Sequence, residues 1–133
     1  MSQENLEIVR RGYEALNRGD VAGLLETMVP DVELVSVLSE LGGGVFRGHD
    51  GVERYVTEVA EGWADTAWTV LDAREVDDHR LVATVQFRAR GQQSGIAVDR
   101  ELGALFTIEN GKTTRVEGFL DPEAALEAAG LSE

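Results

Sequence analysis

Two carboxylates stand at positions where they could serve acid/base chemistry. Asp121 directly precedes Pro122 near the end of the chain, and Glu40 lies between an apolar segment and the run Gly42-Gly43-Gly44. A carboxyl group that an apolar wall shields from water holds its proton more tightly and can exchange it with a carbonyl or enol. Asp121 and Glu40 are therefore the candidate catalytic residues. The alternative is structural, because an aspartate before a proline is typical of a helix N-cap and a loop glutamate is normally solvated.

The two histidines are separate from each other and from any cluster of acidic residues. His49 precedes a predicted helix, where it could contact a ligand or act as a base, although contact with water is the simpler interpretation. His79 lies in a predicted hairpin turn, where polar residues are normally exposed. No histidine pair has metal-ligand spacing, and the chain contains 0 cysteines. We therefore expect no metal site, no cofactor and no thiol chemistry.

Aromatic side chains are the candidate ligand-binding residues. Tyrosine and tryptophan combine a large apolar ring with a polar tip, which suits a lipophilic cavity that also needs a few hydrogen bonds. The candidate set comprises His49 and six aromatic residues: Tyr13, Tyr55, Trp63, Trp68, Phe87 and Phe106. Ordinary core packing explains most of these rings equally well.

Helical periodicity governs the first part of the chain. Apolar residues recur every three to four positions from Ser2 to Arg18, which predicts an amphipathic helix. Gly19 then supplies a left-handed stop, and Asp20 supplies an N-cap for a second, short helix that ends at Pro30.

The next segments alternate between strand and helix patterns. After Pro30 the apolar period changes to two, which predicts a strand to about Ser39. The glycine run that follows predicts a loop at the mouth of the fold. Asp50 then begins a third helix, whose apolar face extends to Trp63.

From Ala67 onward the sequence is rich in strand-forming residues. Turn residues at 77–80, 91–95 and 109–112 divide this region into four consecutive antiparallel strands. A short helix from Asp121-Pro122 through Ala129 closes the chain. Helices followed by a run of strands predict an α+β fold: a cone-shaped, curved, mostly antiparallel sheet wrapped around three N-terminal helices, with a short C-terminal helix.

Length and charge limit the class of protein. The chain has 133 residues, a formal net charge of −13 and 43% hydrophobic residues, which together predict a single folded domain over residues 1–133. Such an acidic chain repels phosphate backbones, so we expect no nucleic-acid partner. No segment is long and apolar enough to cross a membrane, and the N-terminus lacks the pattern of a signal peptide; we therefore expect a cytoplasmic protein.

Three stretches carry a resemblance to a known family. They are Tyr13-Glu-Ala-Leu-Asn-Arg-Gly-Asp20, Phe46-Arg-Gly-His-Asp-Gly-Val52, and Glu109-Asn-Gly-Lys112 leading into Phe119-Leu-Asp-Pro-Glu-Ala-Ala125. Together they resemble the SnoaL-like branch of the nuclear transport factor 2-like superfamily, over nearly the whole chain. The resemblance implies a pocket between the helices and the concave sheet, and a homodimer through the outer face of the sheet. It also implies relatives that are cyclases, isomerases, epoxide hydrolases or dehydratases, besides relatives that only bind ligands.

Individual branches of this superfamily fit the sequence to different degrees. The steroid-isomerase branch places a catalytic base near Ser36 or Val37 and a donor aspartate close to Ala104, and none of these positions is acidic here. The epoxide-hydrolase branch places a carboxylate near Gly118, where none is present. The polyketide-cyclase branch uses an aspartate near the end of the last strand, and Asp121 occupies a comparable place.

Two hypotheses of different classes follow. The first is a small-molecule pocket that binds an apolar, oxygen-bearing metabolite and performs cofactor-free acid/base chemistry, such as cyclisation or isomerisation, through Asp121. The second is a non-catalytic ligand-binding or dimerisation module, which the missing isomerase and hydrolase residues favour. In either case we expect a homodimer in which Val82, Thr84 and Gln86 contact the second copy.

Overall fold

The computed structural model describes residues 2–36 and 44–131, and within them the chain forms four helices and six strands. The helices are α1 (Ser2–Arg18), α2 (Val21–Glu26), α3 (Gly48–Gly62) and α4 (Pro122–Ala128). The strands are β1 (Met28–Ser36), β2 (Gly44–Arg47), β3 (Trp63–Glu75), β4 (Arg80–Gly91), β5 (Ala97–Glu109) and β6 (Lys112–Phe119). This order confirms the predicted α+β class. None of the described helices is long and apolar enough to cross a membrane.

All six strands belong to one sheet, in the order β2-β1-β6-β5-β4-β3. Neighbouring strands are antiparallel except β1 and β6, which run parallel. Register shifts interrupt the pairing of β3 with β4 between Ala64 and Ala67 and between Val70 and Asp72. Such irregularities bend a strand and increase its twist, so they favour the curved sheet that the sequence predicts.

The main core lies between the inner face of the sheet and helices α1, α2 and α3. Its most deeply buried side chains come from both layers: Val9 of α1 is 1% exposed, Val52 of α3 is 0% exposed and Phe87 of β4 is 1% exposed. Alternate residues of β4, from Leu81 to Ala89, belong to this core, as the period of two predicts.

Helix α4 covers part of the opposite, outer face of the sheet. A second apolar cluster forms there, in which Val82 is 2% exposed and packs with Leu105 and Ala125. The prediction that Val82 contacts a second copy of the chain is therefore wrong, because α4 of the same chain already covers that side chain. Thr84 and Gln86 remain partly exposed.

One side-chain amide ties α1 to the edge strand β3. Asn17 donates a hydrogen bond to the carbonyl oxygen of Trp68 and accepts one from the amide nitrogen of Trp68, each at 2.8 Å. The two bonds hold the end of α1 against the backbone from which the Trp68 ring enters the core.

The predicted boundaries agree with the structure at the first helices. The bounds of α1 are confirmed. Asp20 caps α2 as predicted, since its carboxylate accepts a hydrogen bond from the amide of Gly23 at 2.9 Å. Gly19 has the expected left-handed conformation, with φ of 72°.

Other elements differ from the prediction. Pro30 lies inside β1 instead of ending α2, in the stretch where the pairing of β1 with β6 shifts register and proline removes no regular ladder bond. Trp63 begins β3 instead of ending α3, because its backbone is extended, with φ of −132°. The short strand β2 is absent from the sequence prediction.

Candidate functional site

An apolar cavity of about 90 Å³ lies between the helices and the inner face of the sheet. Side chains of α1, α2 and α3 close it on one side, and residues of β1, β3, β4, β5 and β6 close it on the other. An apolar cavity of about 150 Å³ in another protein holds one benzene ring. This smaller cavity therefore suits a ligand of no more than about one small ring.

Tyr55 of α3 presents the first polar group of the cavity wall. Its hydroxyl is hydrogen-bonded with that of Ser36 at the end of β1. Burial raises the pKa of Tyr55 to about 12, an effect that the bond with Ser36 reduces. The hydroxyl therefore stays protonated at neutral pH and can take part in hydrogen bonds.

Tyr13 of α1 presents the second polar group of the cavity wall. Burial raises the pKa of Tyr13 well above its usual range, and the neighbouring Tyr55 adds to the shift. Its ring packs edge-to-face on Phe106, with centroids 6.0 Å apart. The two tyrosine hydroxyls are thus close enough to influence each other inside one apolar chamber.

The hydroxyl of Tyr13 makes no hydrogen bond with any residue in 2–36 or 44–131. In that same part of the chain, every fully enclosed polar side-chain atom has a partner. The Tyr13 oxygen is therefore not fully enclosed, and Tyr13 is one of the half-buried residues that line the cavity. A donor with no acceptor among the described residues thus belongs to the wall of an apolar cavity.

Charged groups are missing from the described part of the cavity wall, which includes no Asp, Glu, His, Lys or Arg. The remaining polar side chains there are Ser36, Thr27 and Thr113, and Thr27 donates its hydroxyl to the carbonyl of Leu24 at 2.7 Å. Such a wall can donate hydrogen bonds to a ligand oxygen, but it offers no carboxylate or imidazole that could remove a proton from carbon.

The structure separates the aromatic residues that the sequence suggests for ligand binding into two groups. Tyr13, Tyr55, Trp68 and Phe106 line the cavity. Phe87 and Trp63 are outside its lining. Phe87 lies between the two tryptophans, with ring centroids 5.7 Å from Trp63 and 5.2 Å from Trp68, so it supports Trp68 from behind.

The other candidate residues are also outside the cavity lining. Nε2 of His49 lies 3.2 Å from the carbonyl oxygen of Met28, which places the ring against β1. Asp121 is exposed, and its carboxylate accepts a hydrogen bond from the amide of Ala124 at 2.8 Å. The structure therefore favours the N-cap interpretation of Asp121 over the acid/base interpretation. Glu40 lies outside the described residues.

The Ser36–Tyr55 pair is not predictable from the sequence. A serine in a strand pattern carries no distinguishing signal, and its partner is a helix residue far away in the chain. Within the described ranges, no group of three or more His, Asp or Glu residues is arranged to hold a metal ion.

Comparison with known proteins adds to this geometry. A sequence model of the SnoaL-like domain matches residues 9–116. An uncharacterised protein of Mycobacterium tuberculosis is 33% identical over 126 residues, which span 93% of this chain and 94% of that protein.

Two crystal structures illustrate the similarity of fold. An NTF2-like protein of unknown function from Burkholderia pseudomallei has a TM-score of 0.79 and 26% identity, over 93% of this chain and 95% of that one. A protein assigned as a SnoaL-like polyketide cyclase, from Jannaschia, has a TM-score of 0.77 and 18% identity, over 98% and 94% of the two chains. The predicted family resemblance and the predicted architecture are both confirmed.

Proposed function

Because this chain belongs to the SnoaL-like domain family, we propose that it is a small-molecule-binding protein whose ligand occupies the cavity beneath α1 and α3. The observation that carries the proposal is that Tyr13 lines an apolar cavity while its hydroxyl has no acceptor among the described residues. A hydroxyl at the edge of an apolar cavity has few hydrogen-bond partners, and an oxygen-bearing ligand would supply an acceptor.

The cavity wall indicates the class of ligand. Apolar side chains dominate it, and its polar groups are hydroxyls. A charged ligand would lose its hydration without gaining an opposite charge, which costs roughly several kcal/mol of binding free energy. We therefore expect a neutral, apolar molecule with a carbonyl or similar oxygen, of about the size of one six-membered ring.

Ligand binding is better supported by the cavity than catalysis is. A tyrosine hydroxyl that donates to a carbonyl stabilises negative charge on that oxygen, as cyclisation or isomerisation requires. Such chemistry also needs a base, and the described cavity wall contains none. A non-catalytic ligand-binding role, or a role in polarising a carbonyl, therefore fits better than acid/base catalysis by Asp121.

A ligand panel tests the proposal directly. Thermal unfolding would be measured with neutral ketones, lactones and phenols, and with matched carboxylates and amines. A ligand at one hundred times its dissociation constant adds about 2.7 kcal/mol of stability, which such a measurement resolves. We expect neutral ketones to stabilise the wild type, and Tyr13→Phe to reduce their affinity.

Asp121→Asn provides the matched control, because it neutralises the predicted catalytic carboxylate outside the cavity. We expect this variant to bind ketones as the wild type does. Stabilisation by carboxylates in preference to ketones, or equal ketone affinity in Tyr13→Phe, would refute the proposed role of the cavity.

The predicted homodimer remains part of the proposal. Its interface would use the outer face of the sheet beside α4, where Thr84 and Gln86 are partly exposed. A molar mass from light scattering close to the 14.4 kDa of one chain would contradict it. A cytoplasmic location likewise remains an expectation, which fractionation of cells would test.

A further inference from the structure

A row of small residues crosses the inner face of four strands. The pairing places Ala73 opposite Ala83, Ala83 opposite Ala104, and Ala104 opposite Gly118. Directly opposed residues of antiparallel neighbours project to the same face of a sheet. Ala83 and Ala104 are 0% and 5% exposed beneath the helices, and Ala104 and Gly118 line the cavity. The cavity therefore opens onto one end of this row.

Larger side chains flank the row on both sides. The next inward-facing set along the strands consists of Leu81, Phe106 and Val116, which oppose one another across β4, β5 and β6. On the other side Val85 opposes Leu102. All five side chains are buried. The hollow exists because the row between them carries only methyl groups and a glycine.

Helix α4 supports the same wall from outside. Gly103 precedes Ala104 in β5 and therefore faces the opposite side of the sheet. A Cβ atom at Gly103 would lie 2.7 Å from the Cβ of Ala125 and 3.0 Å from the carbonyl oxygen of Asp121. β5 therefore has no room to move outward when a larger group occupies the cavity.

We propose that Ala104 sets the upper size limit of the ligand. This inference rests on the proposed function, because it assumes that a ligand occupies the cavity. The size limit itself follows from the geometry of the sheet. Within the described cavity wall, Ala104 contributes the one methyl group of the row, since Gly118 has no side chain and Ala73 and Ala83 are not part of the lining. A larger side chain at 104 would enter the cavity, because α4 blocks movement in the other direction.

A ring series tests the limit. Dissociation constants would be measured by NMR titration for cyclopentanone, cyclohexanone and cycloheptanone, and for the corresponding cycloalkanes, against the wild type, Ala104→Val and Ala104→Gly. Ala89→Val is the matched control, because Ala89 is a buried alanine of the same sheet face, 7% exposed, that does not line the cavity. Circular dichroism would establish that each variant is folded.

We expect Ala104→Val to weaken cycloheptanone about tenfold or more relative to cyclopentanone, since a methylene in an apolar site discriminates by about that factor. Ala104→Gly should favour the larger rings, and Ala89→Val should keep the wild-type order. An unchanged order in Ala104→Val, or an equal change in Ala89→Val, would overturn the inference.

The cycloalkanes separate this inference from the proposed function. The cycloalkanes could bind as tightly as the ketones, with a preferred ring size that changes with the side chain at position 104. In that case the proposal of an oxygen-bearing ligand is wrong, and the size limit set by Ala104 holds. If neither series binds the wild type, both are overturned.

Discussion

Replacing the two tyrosines separately by phenylalanine should change the stability of the protein in opposite directions. The chain contains 2 tyrosines, and both line the cavity. Each substitution removes one hydroxyl and keeps the ring and its edge-to-face contact, with centroids 6.0 Å apart for Tyr13 and Phe106 and 5.5 Å apart for Tyr55 and Phe46. The variants therefore differ mainly in the hydrogen bonding of the lost group.

The expected magnitudes follow from that difference. Tyr55→Phe loses the bond with Ser36, which lowers the free energy of unfolding by about 1 kcal/mol. Tyr13→Phe loses no hydrogen bond to a described residue and removes a hydroxyl from an apolar site, so it raises the free energy of unfolding by up to about 1 kcal/mol. In a domain of this size, 1 kcal/mol corresponds to roughly 4 °C in Tm.

Urea denaturation of the wild type and the two variants checks these values. An unchanged slope against urea concentration would show that the compared states are the same. Ketone affinity should fall about tenfold in Tyr13→Phe, the effect of one lost hydrogen bond. If Tyr13→Phe destabilises the protein as much as Tyr55→Phe does, the Tyr13 hydroxyl has an acceptor in the free protein, and the main reason for expecting a ligand there disappears.

Three further predictions follow from the same structure. Burial raises the pKa of Tyr55 from 10.0 to about 12, and it raises that of Tyr13 further. Between pH 10 and about 12 mainly the unfolded chain therefore releases tyrosine protons, and the free energy of unfolding should fall by about 1.4 kcal/mol per pH unit for each tyrosine. Native tyrosinate absorbance with a midpoint near pH 10 would contradict this burial. Asp121→Ala should cost about 1 kcal/mol in urea denaturation with unchanged ketone affinity, because it removes the cap of α4; a loss of affinity at constant stability would return Asp121 to the site. Gly103→Ala should cost about 1–3 kcal/mol in the same assay, because the new methyl group overlaps Ala125; an unaltered midpoint would show that α4 does not pack there.

Local features of the fold were predictable where one physical cause dominates. The spacing of apolar residues predicts α1, and Asp20 before a short apolar segment predicts the cap of α2. Trp63 could not be assigned in this way, because its position also continues the apolar period of α3. Its assignment depends on pairing with Gly91 of β4, which is a long-range contact.

The residue types of the candidate site are predictable from the sequence, but their positions relative to the cavity are less so. Burial of Trp68 and Phe87 follows from their residue types, but only the packed fold shows that one ring lines the cavity and the other lies behind it. An aspartate before proline has the same pattern whether or not it faces a cavity, so only the folded structure shows that Asp121 is exposed. The sequence distinguishes Ala104 only as a position that lacks an acid. Its place in the cavity wall is not predictable, because a cavity is produced by the absence of side-chain atoms.

The paired bonds between Asn17 and Trp68 also affect how this protein meets other chains. β3 is an edge strand, and an edge offers its free amide and carbonyl groups to any extended segment that approaches. At Trp68 both groups are already taken by a side chain of α1. Asn17 thus makes the two hydrogen bonds that a neighbouring strand would make at this residue. An incoming strand cannot pair continuously along β3 without first displacing the end of α1. We therefore expect Asn17→Ala to make the protein more prone to form β-sheet aggregates.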